Sequence, residues 1–261
     1  GAIIFWFGAF ISILILFSEL GANMGRKDAH KTAEERRRSF IRRLDHEVKN
    51  PLTGLRAALA NLSEAASPQE REYAAVNARR DVARLTSLLA DLRKLSDLDE
   101  RPLERLPVYA PNILEEIVDA ALSLPVYEGR IINLLITNVP PLPLVTGDRD
   151  LLGLAFYNLV ENALKYSGAE KEVEVRARED GRSILIEVAD GGSGIAPEDL
   201  PHLCEELYRG ANARGIDGSG LGLALTARIV DLHGGTLNVT SRQGERQGTM
   251  FSIMLPARRG S

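Results

Sequence analysis

Cysteine is nearly absent from this chain of 261 residues, where Cys204 stands alone. A lone thiol excludes an intramolecular disulfide and any multi-thiol metal site, and it fits a reducing compartment. Cys204 itself is expected to behave as a small buried hydrophobe. Basic charge is not in excess either. The formal net charge is −4, and no local basic patch accompanies a binding motif, so no direct nucleic-acid contact is expected. Internal repeats and low-complexity stretches are also missing. With 44% apolar and 26% charged residues, the chain can bury one large or two modest cores and is not a disordered coil.

Charge is missing altogether from Ala2 to Phe17, AIIFWFGAFISILILF. The run is slightly short of the roughly 20 residues that cross a bilayer. The chain opens on Gly1 rather than Met, so a truncated transmembrane helix over 2–20 is expected. A secretory signal would carry basic residues before the apolar run. Here Arg26, Lys27, Lys31, Arg36, Arg37 and Arg38 follow it, as in a cytoplasmic flank. The expectation is a single pass of a cell inner membrane, a charged helical linker over 21–38, and a cytoplasmic remainder; a buried core helix is the alternative for the apolar run.

From Thr32 to Glu64, apolar residues recur at Ile41, Leu44, Val48, Leu52, Leu55, Leu59 and Leu62, the three-and-four spacing of an amphipathic helix. Ala65 to Pro68 punctuate. A second helical pattern then runs through Tyr73, Val76, Val82, Leu85, Leu89, Leu92 and Leu95. One hairpin with a single apolar stripe per helix buries little alone, so a homodimer forming a four-helix bundle over 39–100 is expected. Pro102 and Pro107 mark a linker. Beyond it, helices are expected over Asn112–Leu124, Asp148–Tyr166 and Leu221–His233. Strands are expected over Ile131–Ile136, Glu172–Arg178, Ser183–Ala189, Thr236–Thr240 and Thr249–Leu255. Segregated helices beside a mostly antiparallel sheet make an α/β sandwich domain over 106–257.

On the first helix His46 falls opposite the apolar stripe and points to solvent, with Asn50 one turn later on the same outer face. Pro51 lacks an amide hydrogen, its ring crowds the carbonyl of Glu47, and a helix interior accepts it at a cost of roughly 3 kcal/mol, so a bend is expected beside His46. An exposed imidazole can attack phosphorus through one ring nitrogen if a carboxylate such as Glu47 holds or removes the other proton. A solvent-facing histidine beside a glutamate is equally an ordinary surface pair.

Three further segments carry candidate ligands. Asn158, Glu161, Asn162 and Lys165 share one side of a helix ending at Tyr166, and they form either a solvated face or hard oxygen ligands for Mg2+ with a cation for phosphate. Asp190-Gly-Gly192-Ser-Gly194-Ile195 follows a strand. It is either a plain turn or a backbone approach to a planar ligand, with Asp190 accepting from an exocyclic amine. Gly218-Ser-Gly220-Leu221-Gly222 opens a helix and offers amides to phosphate, at a spacing that is neither a P-loop nor a Rossmann fingerprint. His202 and His233 read as surface or packing residues.

The run Phe40-Ile-Arg-Arg-Leu-Asp-His46-Glu47-Val-Lys-Asn50-Pro51-Leu52 resembles the phosphoacceptor box of sensor histidine kinases. The three later segments, in this order, resemble the N, G1 and G2 boxes of the ATP-binding fold that those kinases share with gyrase and Hsp90. The resemblance covers roughly Arg38 to Pro256, nearly all of the chain beyond the expected membrane helix, and implies a dimeric helical hairpin followed by a GHKL-type α/β sandwich. It implies autophosphorylation of His46, with Glu47 as base and Asn50 placing water for dephosphorylation of a response regulator receiver domain. It further implies ATP and Mg2+, with Asn162 the metal ligand supported by Asn158 and Glu161. Lys165, Tyr166, Asp190, Gly192, Gly194, Ile195, Arg209, Gly218, Gly220, Leu221 and Gly222 would be nucleotide contacts, and Arg209 to Gly218 the lid. One part departs from the pattern: Cys204, Glu206 and Leu207 replace the usual Phe, Arg and Phe before the lid, although Tyr208 and Arg209 are kept. An ATP-driven clamp would share the pocket but needs no phosphoacceptor box; a module that has lost kinase activity and acts as a phosphatase through Asn50 is the second alternative.

Overall fold

A computed structural model describes residues 34–258 apart from 36, 65–66, 101, 138–139, 211–212, 214–215, 217 and 246. The expected membrane helix and most of the expected charged linker lie outside the described residues. Among those described, no helix is long and apolar enough to cross a membrane. The chain divides into two compact units, Gly1–Lys49 and Asn50–Ser261.

Helix α1 covers residues 37–64 and remains helical through Pro51. In the first unit it carries exposed pairs such as Lys49 Nζ to Asp45 Oδ2 at 2.6 Å, which contribute little to stability. In the second unit α2 spans Pro68–Glu100. Its start is a capping box: Glu70 N donates to Ser67 Oγ, and Ser67 N donates to Glu70 Oε2, both at 3.2 Å, with Pro68 at the first helical position. Gly54, the single glycine inside α1, faces Asp81 of α2 so closely that a Cβ there would collide with the carboxylate. Close approach of the two helices is the reason for glycine at that point.

The α/β portion begins with β1 (Leu106–Val108), which pairs antiparallel with β3 (Val145–Gly147). Neither strand is foreseen in the sequence, where Pro107 reads as a linker mark. A two-stranded ribbon has only edges, which is where proline is tolerated. Helix α3 spans Ala110–Leu122, starting before the expected Asn112 because Pro111 fits the first turn. Next come β2 (Ile132–Ile136), α4 (Arg149–Tyr166), β4 (Val173–Asp180), β5 (Ser183–Asp190), α5 (Gly222–Leu232), β6 (Thr236–Arg242) and β7 (Gly248–Pro256).

The main sheet has the order β2-β4-β5-β7-β6. Only β2 and β4 run parallel, joined by a crossover that contains α4. Gly181, at φ +63°, makes the two-residue turn between β4 and β5. Alternate residues of the sheet, including Val173, Val175, Ile184, Ile186, Ile253 and Leu255, are buried with Leu114 of α3 and Leu152, Phe156 and Leu159 of α4. A second cluster joins Leu95 and Leu98 of α2 to Ala155 of α4 and to Leu225 and Ile229 of α5. Cys204 is exposed, which corrects its reading as a buried hydrophobe. It lies in the irregular stretch between β5 and α5, where no helix or strand periodicity directs a side chain inward.

Candidate functional site

His46 and Glu47 lie in the first unit. The His46 side chain is 72% exposed and that of Glu47 only 14%, and Glu47 Oε1 is 3.9 Å from His46 Nδ1. The helix period thus delivers an outward imidazole whose Nδ1 edge faces a largely enclosed carboxylate. Asn50, at the start of the second unit, is exposed.

In the second unit, one cavity of about 340 Å3 gathers residues from segments far apart in sequence. That volume lies within the range of small-molecule sites. Helix α4 supplies Asn158, Glu161, Asn162, Lys165 and Tyr166 to its wall. They project together because α4 is capped at its start and buried along its other side. Asp148 caps its start, accepting from Asp150 N and Leu151 N at 3.1 Å each, and the opposite stripe is buried on the sheet. Asn158 Nδ2 donates to Gly222 O at 3.2 Å, tying α4 to the start of α5. Lys165 Nζ pairs with Glu161 Oε2 at 2.9 Å. Burial pushes the Tyr166 hydroxyl pKa up, against the lowering influence of Arg209.

Asp190 ends β5 and lines the same cavity. Desolvation pushes its carboxyl pKa up, partly offset by hydrogen bonds from the backbone of Gly192 and Thr249. Gly192 N donates to Asp190 Oδ1 at 2.7 Å. Gly192 does not line the cavity; a Cβ there would meet the Tyr166 carbonyl, so its part is to let this loop pass. Gly194 and Ile195 do line the cavity. Gly194 adopts φ +73°, and a Cβ would strike the Arg242 carbonyl. Ile195 N donates to Ser241 Oγ at 2.8 Å, which leaves its side chain as the contributing group.

Of the segment that opens α5, Gly218, Gly220 and Gly222 line the cavity, whereas Leu221 is buried behind it. Arg209 also lines the wall, but its guanidinium donates to the carbonyls of Ala213, Ile216 and Gly218, bracing the very segment read as a lid; part of that segment lies outside the described residues. The kept Tyr208 donates to Asp199 Oδ1 at 2.6 Å. Leu207, in place of the usual phenylalanine, is buried at φ +58° and donates its N–H to Gly220 O at 2.9 Å.

Sequence reasoning missed the contribution of α2, whose Ser87, Asp91 and Lys94 line the cavity, and that of Thr249 and Phe251 on β7. No local signal marks the α2 residues, which read as a solvated helix face. Phe251 was visible only as one member of an alternating strand. His202 is exposed and paired with Glu205, and His233 is buried, as surface and packing roles require.

The donor set fits a Mg2+ nucleotide in kind: two amides and a carboxylate on α4, a cation beside them, and the half-buried carboxylate of Asp190. Among the described residues, no group of three or more His, Cys, Asp or Glu could hold a metal ion.

Residues 36–101 match the family described as the His Kinase A (phospho-acceptor) domain. Residues 147–259 match the histidine kinase-, DNA gyrase B- and HSP90-like ATPases. The chain is 36% identical over 232 residues to the sensor-like histidine kinase SenX3 of Mycobacterium tuberculosis, covering 86% of this chain and 55% of that one. It is 30% identical over 267 residues to the sensory histidine kinase/phosphatase NtrB of Rhizobium meliloti, covering 95% of this chain and 66% of that one. It therefore spans about half to two thirds of these relatives. Among solved structures, the mycobacterial sensor histidine kinase MprB superposes with a TM-score of 0.54 at 30% identity, covering 59% of this chain and all of that one. With both domains matched in this order and one solved chain of 30% identity covered in full, the chain belongs to the sensor histidine kinases of two-component systems, a phosphoacceptor hairpin followed by a GHKL-type ATP-binding domain.

Proposed function

We propose that the chain is the transmitter of a membrane-anchored sensor kinase that phosphorylates itself on His46 and passes the phosphoryl group to an aspartate of a response regulator receiver domain. The observation that carries this reading is the convergence of α4, the Asp190 loop and the start of α5 on one cavity. In it Asp190 accepts from the adenine amine, Gly194 and Ile195 lie along the base, and Lys165, Tyr166 and the Gly218–Gly222 loop face the phosphates. Asn158, Glu161 and Asn162 would hold Mg2+, which would offset the triphosphate charge.

Glu47 Oε1 lies 3.9 Å from Nδ1 of His46, near enough to take up that proton after a small side-chain shift, which leaves the Nε2 lone pair to attack the terminal phosphorus as its bond to the departing ADP oxygen breaks. As Nε2 becomes bonded, the ring gains positive charge, which the same carboxylate stabilises. Asn50, exposed one turn on, suits it to place a water for dephosphorylating the regulator, which supports a second, phosphatase activity. The apolar run Ala2–Phe17 with its basic flank supports anchoring of 2–20 in the cell inner membrane, with 21–38 as linker, 39–100 as the dimeric hairpin, and 106–257 as the cytoplasmic ATP-binding domain.

The test is incubation of the purified protein with radiolabelled Mg-ATP, comparing wild type with His46→Gln. Label that survives base but not acid, and is lost in His46→Gln while ATP binding persists, is the expected result. Absence of label in the wild type despite tight ATP binding would refute kinase activity and leave the phosphatase or clamp reading.

A further inference from the structure

Helix α2 enters the cavity with charge. Ser219 Oγ donates to Asp91 Oδ2 at 2.7 Å, and Lys94 Nζ lies 3.2 Å from Asp91 Oδ1. Ser219 Oγ in turn accepts the Leu221 N–H at 3.2 Å. Leu221 is the N-cap of α5, a helix of 11 residues that has no side-chain cap bond to its own N–H groups. A carboxylate from a different part of the chain therefore sits, through one hydroxyl, at the positive end of this helix, where negative charge is favoured. The placement is fixed independently, because Leu95 and Leu98, further along α2, are packed with Ala155, Leu225 and Ile229. Asp91, Lys94, Ser219 and Gly220 all line the cavity read as the nucleotide pocket.

We propose that Asp91 stands in for the terminal phosphate: it occupies the Ser219 and Lys94 donors that the end of a triphosphate would use, so that seating of α2 and binding of the terminal phosphate compete. The proposal rests on the nucleotide reading of the pocket. Two anions cannot share one small set of donors without repulsion in a partly desolvated site. Asp91 thereby sets the preference of the pocket among nucleotides of different charge. The carboxylate disfavours ATP most, ADP less and adenosine not at all.

Calorimetric titration of the full, detergent-solubilised chain with Mg-ATP, Mg-ADP and adenosine tests this in wild type, Asp91→Asn and Asp91→Glu. Asp91→Asn keeps the shape and removes the charge, so ATP should bind about tenfold tighter, ADP less so, and adenosine unchanged. Asp91→Glu keeps the charge and should stay within about threefold of wild type for all three. Unchanged or weakened ATP affinity in Asp91→Asn, or equal tightening of all three ligands, would overturn the proposal alone. Failure of ATP to bind any variant would overturn the nucleotide reading and the proposal with it.

Discussion

His233 Nε2 accepts the backbone N–H of Asp148 at 2.9 Å while its Nδ1 lies 2.7 Å from the Ile229 carbonyl. An acceptor at one nitrogen and a donor at the other define the tautomer with hydrogen on Nδ1. The ring is 7% exposed and ties the residue that caps α4 to the last turn of α5. Gly147 lies against it, and a Cβ there would come within 2.6 Å of Nε2. Helices α4 and α5, which both line the cavity, are thus registered to each other through residues that do not line it.

Replacing His233 with Ala should therefore cost stability without altering ligand contacts. The substitution strands the Asp148 N–H in the interior and leaves a void, together worth about 2 to 4 kcal/mol. Urea denaturation should show a lower midpoint by that amount, and ATP affinity of the folded protein should change by no more than about twofold. A stability unchanged within error would mean that water replaces the ring at no cost.

Long periodic segments are legible in the sequence because each helix buries a stripe and each central strand buries alternate residues. Gly194 stands out for a related reason, since a positive φ leaves a glycine in the sequence. What is not legible depends on partners distant in sequence. β1 and β3 are three residues each, too short to show a period, and they form only because Leu106 to Val108 meets Val145 to Gly147. Asp91 and Lys94 look like a solvated i,i+3 pair until Leu98 seats α2 beside α5. Cys204 is exposed against expectation because residue type speaks to average burial and not to one irregular segment.

Asp190 gives a dependence on pH with a definite sign. Burial raises its carboxyl pKa in the folded state above that in the unfolded chain, so in the intervening window the folded protein binds more protons. Stability of the unliganded protein should accordingly fall as pH rises through that window, just above the ordinary carboxylate range. Asp190→Asn should remove this dependence. ATP binding should respond oppositely, strengthening as Asp190 ionises and becomes the better acceptor for an amine. Thermal melts and ATP titrations across the same pH series check both arms; parallel pH profiles in wild type and Asp190→Asn would show that another group governs the effect.

Exposed apolar residues on the hairpin identify what it still has to bury. Leu59 of α1 is 61% exposed, and Tyr73 and Leu89 of α2 are 72% and 66% exposed. They belong to the two stripes that, in an isolated hairpin, have no core to enter. If a second copy covers them in a four-helix bundle, each leucine side chain contributes about 1.5 to 3 kcal/mol on burial. Leu59→Asp then loses that contribution and also buries a charge, so the dimer dissociation constant should rise at least about a hundredfold. Leu59 does not line the nucleotide cavity, so ATP affinity should be retained. Sedimentation equilibrium in density-matched detergent measures the association, and nucleotide titration of the same sample shows that the ATP-binding domain is intact. A Leu59→Asp variant that remains dimeric at micromolar concentration would place the subunit interface elsewhere than on this face of the hairpin.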